Sequence, residues 1–480
     1  MNMNPQGCNI LYLHSHDTGR FIQPYGYAVD TPRLQRFAEQ GVLFRQAFCA
    51  GPTCSPSRAA LLTGMYPHSN GMLGLAHRGS RLNDYSRHLS NFLKEQGYAT
   101  ALFGIQHEAH GEFVNELGYD VMNGDANADA VVRNATAFME QPQSRPFFMS
   151  CGFFLTHRTG RGIQWHNDGD SPTGDPRYVR APAPLPDTPE VRRDIADFSV
   201  AAGRLDTAIG AILDALDKNG LTENTLVIIT TDHGIAFPRM KCNLTDHGTG
   251  VMLMLRGPAF AEATAGNPGG FTGGKVLDAL VSHVDIFPTL CEVTGLPKPD
   301  WLQGRSLLPL LNGEASIRDE VFSEVNWHAA VEPMRAVRTA RYKYIRRYNP
   351  ETGLVRPNCD DSVSKNELVA VGWNERSFPA EEFYDLLFDP SEAHSRVDDP
   401  GYAAEVADLR ERLDRWMLET NDPLLTDRLE PWAGMVVNPP DGESPQDPVI
   451  PATPFCAMDG FSVGFYGNKL SVPNGVEGTA

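Results

Sequence analysis

Short segments rich in β-branched and aromatic residues alternate with helical patterns through the first two thirds of the chain. The predicted strands are NILYLH (9–14), VLFRQAF (42–48), YATALFG (98–104), PFFMSCGFF (146–154) and TLVIITTDHG (225–234). The predicted helices between them are 31–41, 86–96, 127–140 and 189–219. Because strands that alternate with helices form a mostly parallel sheet with helices on both faces, the sequence predicts an α/β fold. In such folds, ligands bind beyond the carboxyl ends of the strands.

The last third of the chain has a different pattern, which begins after GRSLLPLLNG (304–313). The stretch RAVRTARYKYIRRY (335–348) alternates as antiparallel strands do, and YAAEVADLRERLDRWMLE (402–419) has the spacing of an amphipathic helix. We therefore predict a large catalytic domain over 1–314 and a smaller α+β domain with an antiparallel sheet over 315–480. From about residue 421 the chain is rich in Pro, Asp and Gly, which favours an extended tail.

The net charge limits the partners of this chain. With 41 Lys and Arg against 60 Asp and Glu, the formal charge of −19 disfavours binding to nucleic acid or to an anionic membrane surface. No apolar run in the sequence approaches the length that crosses a bilayer. Any anionic substrate must therefore bind in a local pocket.

The N-terminus and the cysteines bear on the location of the protein. The opening stretch MNMNPQGCNILYLHSHD has no basic segment, and its apolar run, 10–13, is too short for a signal peptide. The eight cysteines include no Cys-x-x-Cys pair, so we expect reduced thiols rather than disulfides. Both features predict a cytoplasmic protein, or a periplasmic one if a leader has been removed. Homo-oligomers are common among chains of this kind, so a homo-oligomer stays open.

Polar clusters stand at the ends of three predicted strands: HSHD (14–17), HRTGR (157–161) and TTDHG (230–234). Because the carboxyl ends of parallel strands share one edge of a sheet, we expect these clusters to face one crevice. A fourth motif, CSPSR (54–58), stands where a helix begins, and the N-terminus of a helix favours an anion.

The motif CSPSR, followed by AALLTGMYPH, is similar to the Cys-x-Pro-Ser-Arg signature of the type I, formylglycine-dependent sulfatases of the alkaline phosphatase superfamily. The stretches NILYLHSHDTG, TTDHG and GRSLLPLL stand where that family has its first metal strand, its Asp-Asn-Gly motif and the close of its large domain. The similarity covers most of the chain. It implies an alkaline phosphatase-like fold and the hydrolysis of a sulfate monoester or a sulfamate.

Within that family, four stretches resemble the heparan N-sulfatases: CSPSRAALLTGMYPHSNGM, FFLTHR, DHGIAFP and PMRAV. This resemblance implies a small sulfated substrate, with a sulfated amino sugar among the candidates. Similarity of fold transfers the chemistry better than the identity of the leaving group.

The resemblance implies catalytic roles for five residues: Cys54, Arg58, His107, His157 and Lys241. In the family, a formylglycine-generating enzyme oxidises the signature cysteine; one hydroxyl of the hydrated aldehyde attacks sulfur, and the other then expels the sulfate. Arg58 would stabilise the hydrate and the anion, and Lys241 would neutralise the sulfonyl oxygens. His107 would be the base that triggers elimination, and His157 the acid that protonates the leaving oxygen or nitrogen.

The resemblance also implies a metal site. The matching positions are His16, Asp17, Asp232 and His233, together with Cys54. The family's usual set of Asp-Asp and Asp-Asn offers four oxygen donors, which suits Ca²⁺. Two imidazoles among the ligands shift the preference towards Mn²⁺ or Zn²⁺. We therefore expect one divalent ion, with its identity open among Ca²⁺, Mn²⁺, Zn²⁺ and other transition metals.

One departure from the family leaves two alternatives open. Ile105 occupies the place of the lysine in the family's Gly-Lys-x-His motif, which here ends at His107. A phosphonate monoester or phosphodiester hydrolase of the same superfamily is one alternative, since such hydrolases also have Asp-His after the later strand. A non-catalytic binding protein that keeps the fold is the other.

Several further polar residues stand near these motifs. His14 and His247 could each either contribute to the metal site or simply pack in the fold. Further candidates for the substrate pocket are Arg158, Arg161, Arg239, His328 and Arg335.

Overall fold

The computed structural model describes residues 7–456 except 160–163, 169–172, 259–269, 351–352 and 427. The strands, numbered in chain order, are β1 (Asn9–Ser15), β2 (Val42–Phe44), β3 (Ala47–Phe48), β4 (Ala99–Gly104), β5 (Val121–Asn123), β6 (Phe147–Gly152), β7 (Thr225–Thr231), β8 (Leu253–Arg256), β9 (Lys275–Leu277), β10 (Val281–Ser282), β11 (Glu320–Trp327), β12 (Val331–Thr339), β13 (Tyr342–Arg347), β14 (Glu381–Asp385), β15 (Arg428–Leu429), β16 (Val436–Val437), β17 (Ile450–Pro451) and β18 (Phe455–Cys456). The α-helices are α1 (Pro32–Gln40), α2 (Cys54–Thr63), α3 (Pro67–Asn70), α4 (Leu89–Glu95), α5 (Ala128–Met139), α6 (Pro189–Lys218), α7 (Asp246–Thr249), α8 (Ile286–Thr294), α9 (Leu308–Leu311), α10 (Val363–Ala370) and α11 (Ala403–Glu419). None of the helices described here combines the length and the apolar character that a membrane span needs.

The large domain is built on an eight-stranded sheet in the order β5-β4-β6-β1-β7-β8-β2-β9. The five strands from β5 to β7 run parallel to one another. Strand β8 is antiparallel to both of its neighbours, β7 and β2. The predicted mostly parallel sheet is therefore confirmed, with β1 at its centre.

The side chains of β1 alternate between two apolar layers. Leu11 and Leu13 belong to a buried cluster with residues of α1, α5 and α6. Ile10 and Tyr12 belong to a second cluster with residues of α4, α8 and α9. Because successive side chains of a strand point to opposite faces, both faces of the sheet are covered, as the sequence predicts.

One predicted strand is divided in the structure. The pattern over 42–48 predicts a single strand, but β2 ends at Phe44 and β3 begins at Ala47. The turn between them lets β2 pair with β8 and β9 while β3 pairs with β10. Both β2 and β3 are apolar and buried. The local pattern therefore could not reveal that the two strands pair with different partners.

A second sheet, in the order β11-β12-β13-β14, is antiparallel throughout. Helix α11 packs against it, and Trp416 stacks on Phe322 with ring centroids 4.9 Å apart. The predicted antiparallel sheet and amphipathic helix are therefore confirmed. The sheet begins at Glu320, while the domain division at 314/315 itself stays a prediction.

The segment after α11 runs back over the large domain. The indole Nε1–H of Trp432 donates to the Gly71 carbonyl at 2.9 Å, and the Asn438 backbone N–H donates to the Ala329 carbonyl at 2.7 Å. The tail thus contacts both domains through Trp432 and Asn438. Its remainder, 457–480, lies outside the described residues.

Candidate active site

The two central strands bring four polar side chains together at the carboxyl edge of the sheet. Strands β1 and β7 pair in register to their last residues. The residues that follow are His16 and Asp17 after β1, and Asp232 and His233 after β7, and all four are buried. The backbone N–H of Asp17 donates to Asp232 Oδ1 at 2.8 Å, which ties the two strand ends to each other.

Cys54 is the first residue of α2 and completes this cluster. The helix is buried on every side. Ligand atoms of Cys54 and of the four residues above all lie within 4.8 Å of one another. Burial raises the pKa of the Cys54 thiol well above its usual range, so the unmodified side chain stays protonated and is a poor nucleophile.

The arrangement of lone pairs in the cluster fits a cation. His233 Nδ1–H donates to the Gly234 carbonyl at 2.9 Å, which leaves Nε2 as an acceptor. That atom lies 3.3 Å from Asp17 Oδ1 and 3.6 Å from Asp232 Oδ2, and it has no hydrogen-bond partner among the described residues. Acceptors that face one another in a buried pocket repel, and a divalent ion between them removes that repulsion. Imidazole nitrogen and carboxylate oxygen are common ligands of Zn²⁺ and Mn²⁺.

Gly234 allows the backbone after β7 to lie directly against the backbone of His247. A Cβ atom at Gly234 would lie 2.0 Å from the carbonyl oxygen of His247. No side chain fits in that space, so the Asp-His-Gly order places the metal-type residues directly before a close backbone contact.

Arg58 is held by three hydrogen bonds at the edge of the cluster. It donates to Asp232 Oδ2 at 2.9 Å, to the Ser15 carbonyl at 2.9 Å and to His14 Nδ1 at 2.6 Å. Burial and the Arg58 charge lower the pKa of His14 well below its usual range. His14 is therefore a neutral acceptor, and its Nε2–H reaches the Ser150 hydroxyl at 3.1 Å. This histidine positions Arg58 and is not part of the metal cluster.

Lys241 lies between two carboxylates. Its Nζ is 2.9 Å from Asp17 Oδ2 and 2.9 Å from Asp360 Oδ2. Burial alone would lower the pKa of Lys241, but the two carboxylates outweigh it and raise that pKa well above its usual range. Lys241 is therefore a permanent cation next to the cluster.

His157 faces the same cluster from the loop after β6. Its Nδ1–H donates to the Arg158 carbonyl, so its Nε2 is free and lies 3.9 Å from Asp17 Oδ2. Its ring centroid is 4.3 Å from that of His16. Burial, with a contribution from the His16 charge, lowers the pKa of His157 to about 3. The ring is therefore neutral.

His107 also lies near this cluster and follows β4. Its ring centroid is 5.9 Å from that of His16, and its Nε2 is 2.8 Å from Nδ1 of His77. Burial and the neighbouring His77 lower the pKa of His107 well below its usual range. At Ile105 the backbone N–H donates to the Gly152 carbonyl at 2.9 Å, and the side chain supplies no charge.

Sequence comparison gives the family. Residues 9–296 match the family model described as Sulfatase, and residues 264–355 match the model described as N-sulphoglucosamine sulphohydrolase, C-terminal. The human N-sulphoglucosamine sulphohydrolase is 30% identical to this chain over 466 residues, which cover 86% of this chain and 91% of that protein. The chain belongs to the sulfatase family. It is a sulfuric ester hydrolase, which removes the non-catalytic alternative.

Solved structures share the fold of this sulfatase at low sequence identity. A 2-O GAG sulfatase matches with a TM-score of 0.68 and 22% identity, over 88% of this chain and 94% of that one. A phosphonate monoester hydrolase from Silicibacter pomeroyi matches with a TM-score of 0.60 and 17% identity, over 88% of this chain and 98% of that one. Because both reaction classes share the fold, the fold alone does not choose between them. The family implies a divalent metal and a formylglycine, with which the buried cluster is compatible.

Two arginines that were candidates for the substrate pocket of the sulfatase are structural instead. Arg158 is buried and makes a bidentate pair with Asp194 at 2.9 and 2.8 Å. Arg335 is buried and makes a bidentate pair with Asp422 at 2.5 and 3.0 Å. The interpretation of both as substrate contacts is wrong, because both guanidinium groups are buried in ion pairs with protein carboxylates.

The other candidates have different positions. Arg239 donates to the Glu392 carbonyl at 3.3 Å, and His247 is not one of the clustered residues. His328 is buried near Lys241, and burial with that charge lowers its pKa well below the usual range. Arg161 lies outside the described residues.

Asp360 is a site residue that sequence reasoning missed. It stands in the stretch CDDS (359–362), between β13 and β14 of the smaller domain. Nothing in its local pattern points to the large sheet. Only the ion pair with Lys241 at 2.9 Å reveals it.

Proposed function

We propose that this sulfatase hydrolyses a sulfate monoester or a sulfamate of a small sulfated sugar, with a sulfated amino sugar among the candidates. The observation that carries the proposal is the convergence of residue 54 with four metal-type side chains within 4.8 Å, at the carboxyl edge of the sheet. The relative at 30% identity is an N-sulphoglucosamine sulphohydrolase, which supports an amino sugar. A formylglycine-generating enzyme is then a required partner during maturation.

The proposed metal ligands are His16, Asp17, Asp232, His233 and residue 54. When present, the ion acts as a Lewis acid and the formylglycine supplies a hydrated aldehyde as nucleophile. Two imidazoles in the set favour Mn²⁺ or Zn²⁺ over the Ca²⁺ that an all-oxygen site prefers. Arg58 holds Asp232 in place and adds a fixed positive charge beside residue 54.

Two histidines outside the proposed metal set, His157 and His107, have the geometry of a proton donor and a proton acceptor. His157 has a free Nε2 on the side of the cluster. An anionic sulfate bound there raises the proton affinity of that nitrogen, so His157 takes up a proton and delivers it to the leaving oxygen or nitrogen. When His107 donates its Nε2–H to His77, its Nδ1 lone pair is free to accept a proton. Lys241, a cation beside Asp17, would neutralise the sulfonyl oxygens of a bound sulfate.

The test compares two buried cysteines. The protein is produced together with a formylglycine-generating enzyme, and mass spectrometry reads the state of residue 54 in the peptide that contains it. Cys54→Ala is expected to abolish aryl sulfate hydrolysis. Cys291→Ala is the matched control, since Cys291 is as buried as Cys54 and lies in α8, and it should keep the activity. Full activity from protein with an unmodified thiol at residue 54 would refute the proposal.

A second candidate activity of the same site is the hydrolysis of a phosphonate monoester or a phosphodiester. Two observations favour it: a histidine, His233, in the metal cluster and the uncharged Ile105 in the family's lysine position. The ratio of kcat/KM on aryl sulfate and aryl phosphonate esters separates the two reactions, and a panel of O-sulfated and N-sulfated sugars then separates ester from sulfamate.

We also propose a cytoplasmic location. The eight unpaired cysteines support it, since the oxidising periplasm favours disulfides. Homo-oligomerisation remains a proposal.

A further inference from the structure

A cavity of about 430 Å³ lies between the two domains, away from the catalytic cluster. Its polar lining comes from Arg20, Gln46, Asp246, His247, Arg338 and Arg341. None of these residues is in the proposed catalytic or metal set. The volume falls within the range of small-molecule sites and accommodates a monosaccharide.

Five buried polar atoms of this lining have no hydrogen-bond partner among the described residues. They are Nε of Arg20, Nε of Arg338, Oε1 of Gln46, Nε2 of His247 and Oδ1 of Asp246, the last of which lies in an ion pair with Lys343. The Arg338 side chain is only 8% exposed. Buried polar atoms are normally paired, so a concentration of unpaired ones around a single cavity indicates a ligand site. The lining presents donors and an acceptor together, which suits a ligand that both accepts and donates hydrogen bonds.

The charges of the lining favour an anion. Arg20 and Arg338 both lie over the ring of Phe48, at 4.6 and 4.8 Å from its centroid. Asp246 is shared between Arg338 at 3.1 Å and Lys343 at 2.6 Å. Arg20 donates to the backbone carbonyl of Ala47. Among the described residues, Arg20 forms no ion pair with a carboxylate within 4 Å. The cavity therefore keeps uncompensated positive charge on a chain with a formal charge of −19.

We propose that this cavity binds an acidic monosaccharide, with the acidic group on the two guanidinium groups and a hydroxyl on Gln46. Guanidinium groups bind carboxylate and sulfate in a planar, bidentate geometry. Phe21 and Tyr27, with ring centroids 4.4 Å apart, line the same cavity and offer an apolar face to a sugar ring. The inference does not depend on the proposed catalytic function, since binding here uses neither residue 54 nor a metal ion.

Calorimetry on the full chain tests the proposal with three probes: glucuronate, neutral glucose and inorganic sulfate. Glucuronate is expected to bind, and glucose at least tenfold more weakly, because it lacks the acidic group. Gln46→Glu is expected to weaken glucuronate binding at least tenfold, since a carboxylate replaces the acceptor beside the anion. It should leave aryl sulfate hydrolysis unchanged.

Gln40→Glu is the matched control, because it introduces the same charge on an exposed glutamine outside this cavity, and it should bind glucuronate as the parent chain does. If Gln46→Glu does not fold, Arg338→Lys keeps a cation for Asp246 but removes the Nε donor, and it should weaken binding similarly. Three results would overturn the proposal. The first is no glucuronate binding. The second is glucuronate binding that both cavity variants leave unchanged but that His157→Ala abolishes, and the third is inorganic sulfate bound as tightly as glucuronate. The last result would mean an oxyanion site with no sugar recognition.

Discussion

Replacing Asp360 with asparagine is expected to lower the free energy of unfolding by about 2 kcal/mol at pH 7. The Asp360 side chain is 14% exposed and lies 2.9 Å from Lys241 Nζ. Burial alone would raise its pKa, but Lys241, with smaller contributions from His157 and His328, lowers that pKa from its ordinary value of 3.8 to about 2. Each unit of pKa difference between the folded and unfolded states is worth about 1.4 kcal/mol, which gives the expected magnitude.

The pH dependence has a definite sign. A carboxyl group with a lowered pKa stabilises the folded state at every pH above its unfolded pKa, and the contribution is lost as pH falls through the folded pKa. The parent chain and Asp360→Asn should therefore differ by a constant amount above about pH 5. The difference should shrink as pH falls from the ordinary value of 3.8 towards about 2.

Urea unfolding followed by far-UV circular dichroism, at pH values from 7 down to 3, measures the difference. Asp398→Asn is the matched control, because Asp398 lies on the surface of the same domain, and it should change the stability by less than about 0.5 kcal/mol. If Asp360→Asn is as stable as the parent at pH 7, or if its deficit is the same at every pH, Asp360 does not stabilise the fold through the buried ion pair with Lys241.

Three further predictions concern the acid, the metal and the domain contact. His157→Ala should lower kcat/KM by about 10²- to 10⁴-fold on a sulfated sugar and by less on a nitrophenyl sulfate, which needs no acid; equal losses on both would argue against a proton donor. Asp232→Asn should bind the ion at least tenfold more weakly, read as metal content by mass spectrometry after dialysis, and a chelator should remove the activity of the parent, with Mn²⁺ or Zn²⁺ restoring it better than Ca²⁺. Arg335→Ala should lose about 3–5 kcal/mol in urea unfolding, because it leaves Asp422 charged and buried. Arg177→Ala, at an exposed ion pair, should lose less than about 1 kcal/mol, so similar losses in both variants would contradict the burial argument.

The order of strands and helices along the chain was readable because it depends on local patterns. Apolar runs of strand length, flanked by helical periodicity, predicted β1, β4, β6 and β7 with an error of a few residues at their ends. The same patterns could not separate β2 from β3, since a strand's partners are set by contacts far along the chain.

The candidate site was predictable only in part, and for a similar reason. The polar residues directly after β1 and β7 had to meet, because parallel neighbouring strands end at one edge. Arg158 and Arg335, by contrast, stood in motifs that suggested substrate contacts. Their partners, Asp194 and Asp422, stand 36 and 87 residues away in the sequence, and the pairing cannot be read from either motif.

The sequence by itself determined the α/β class, the sulfatase resemblance and the identities of the residues that gather around residue 54, because each depends on local periodicity or on a short motif. Only the tertiary structure decided which charged groups compensate one another, such as Lys241 with Asp360 and Arg58 with Asp232. It also decided which polar atoms of the cavity between the domains stay unpaired. These contacts join segments that are distant in the chain. Since the energy of a buried charge depends on what lies within a few ångströms of it, the charge balance of the site becomes visible only in the folded molecule.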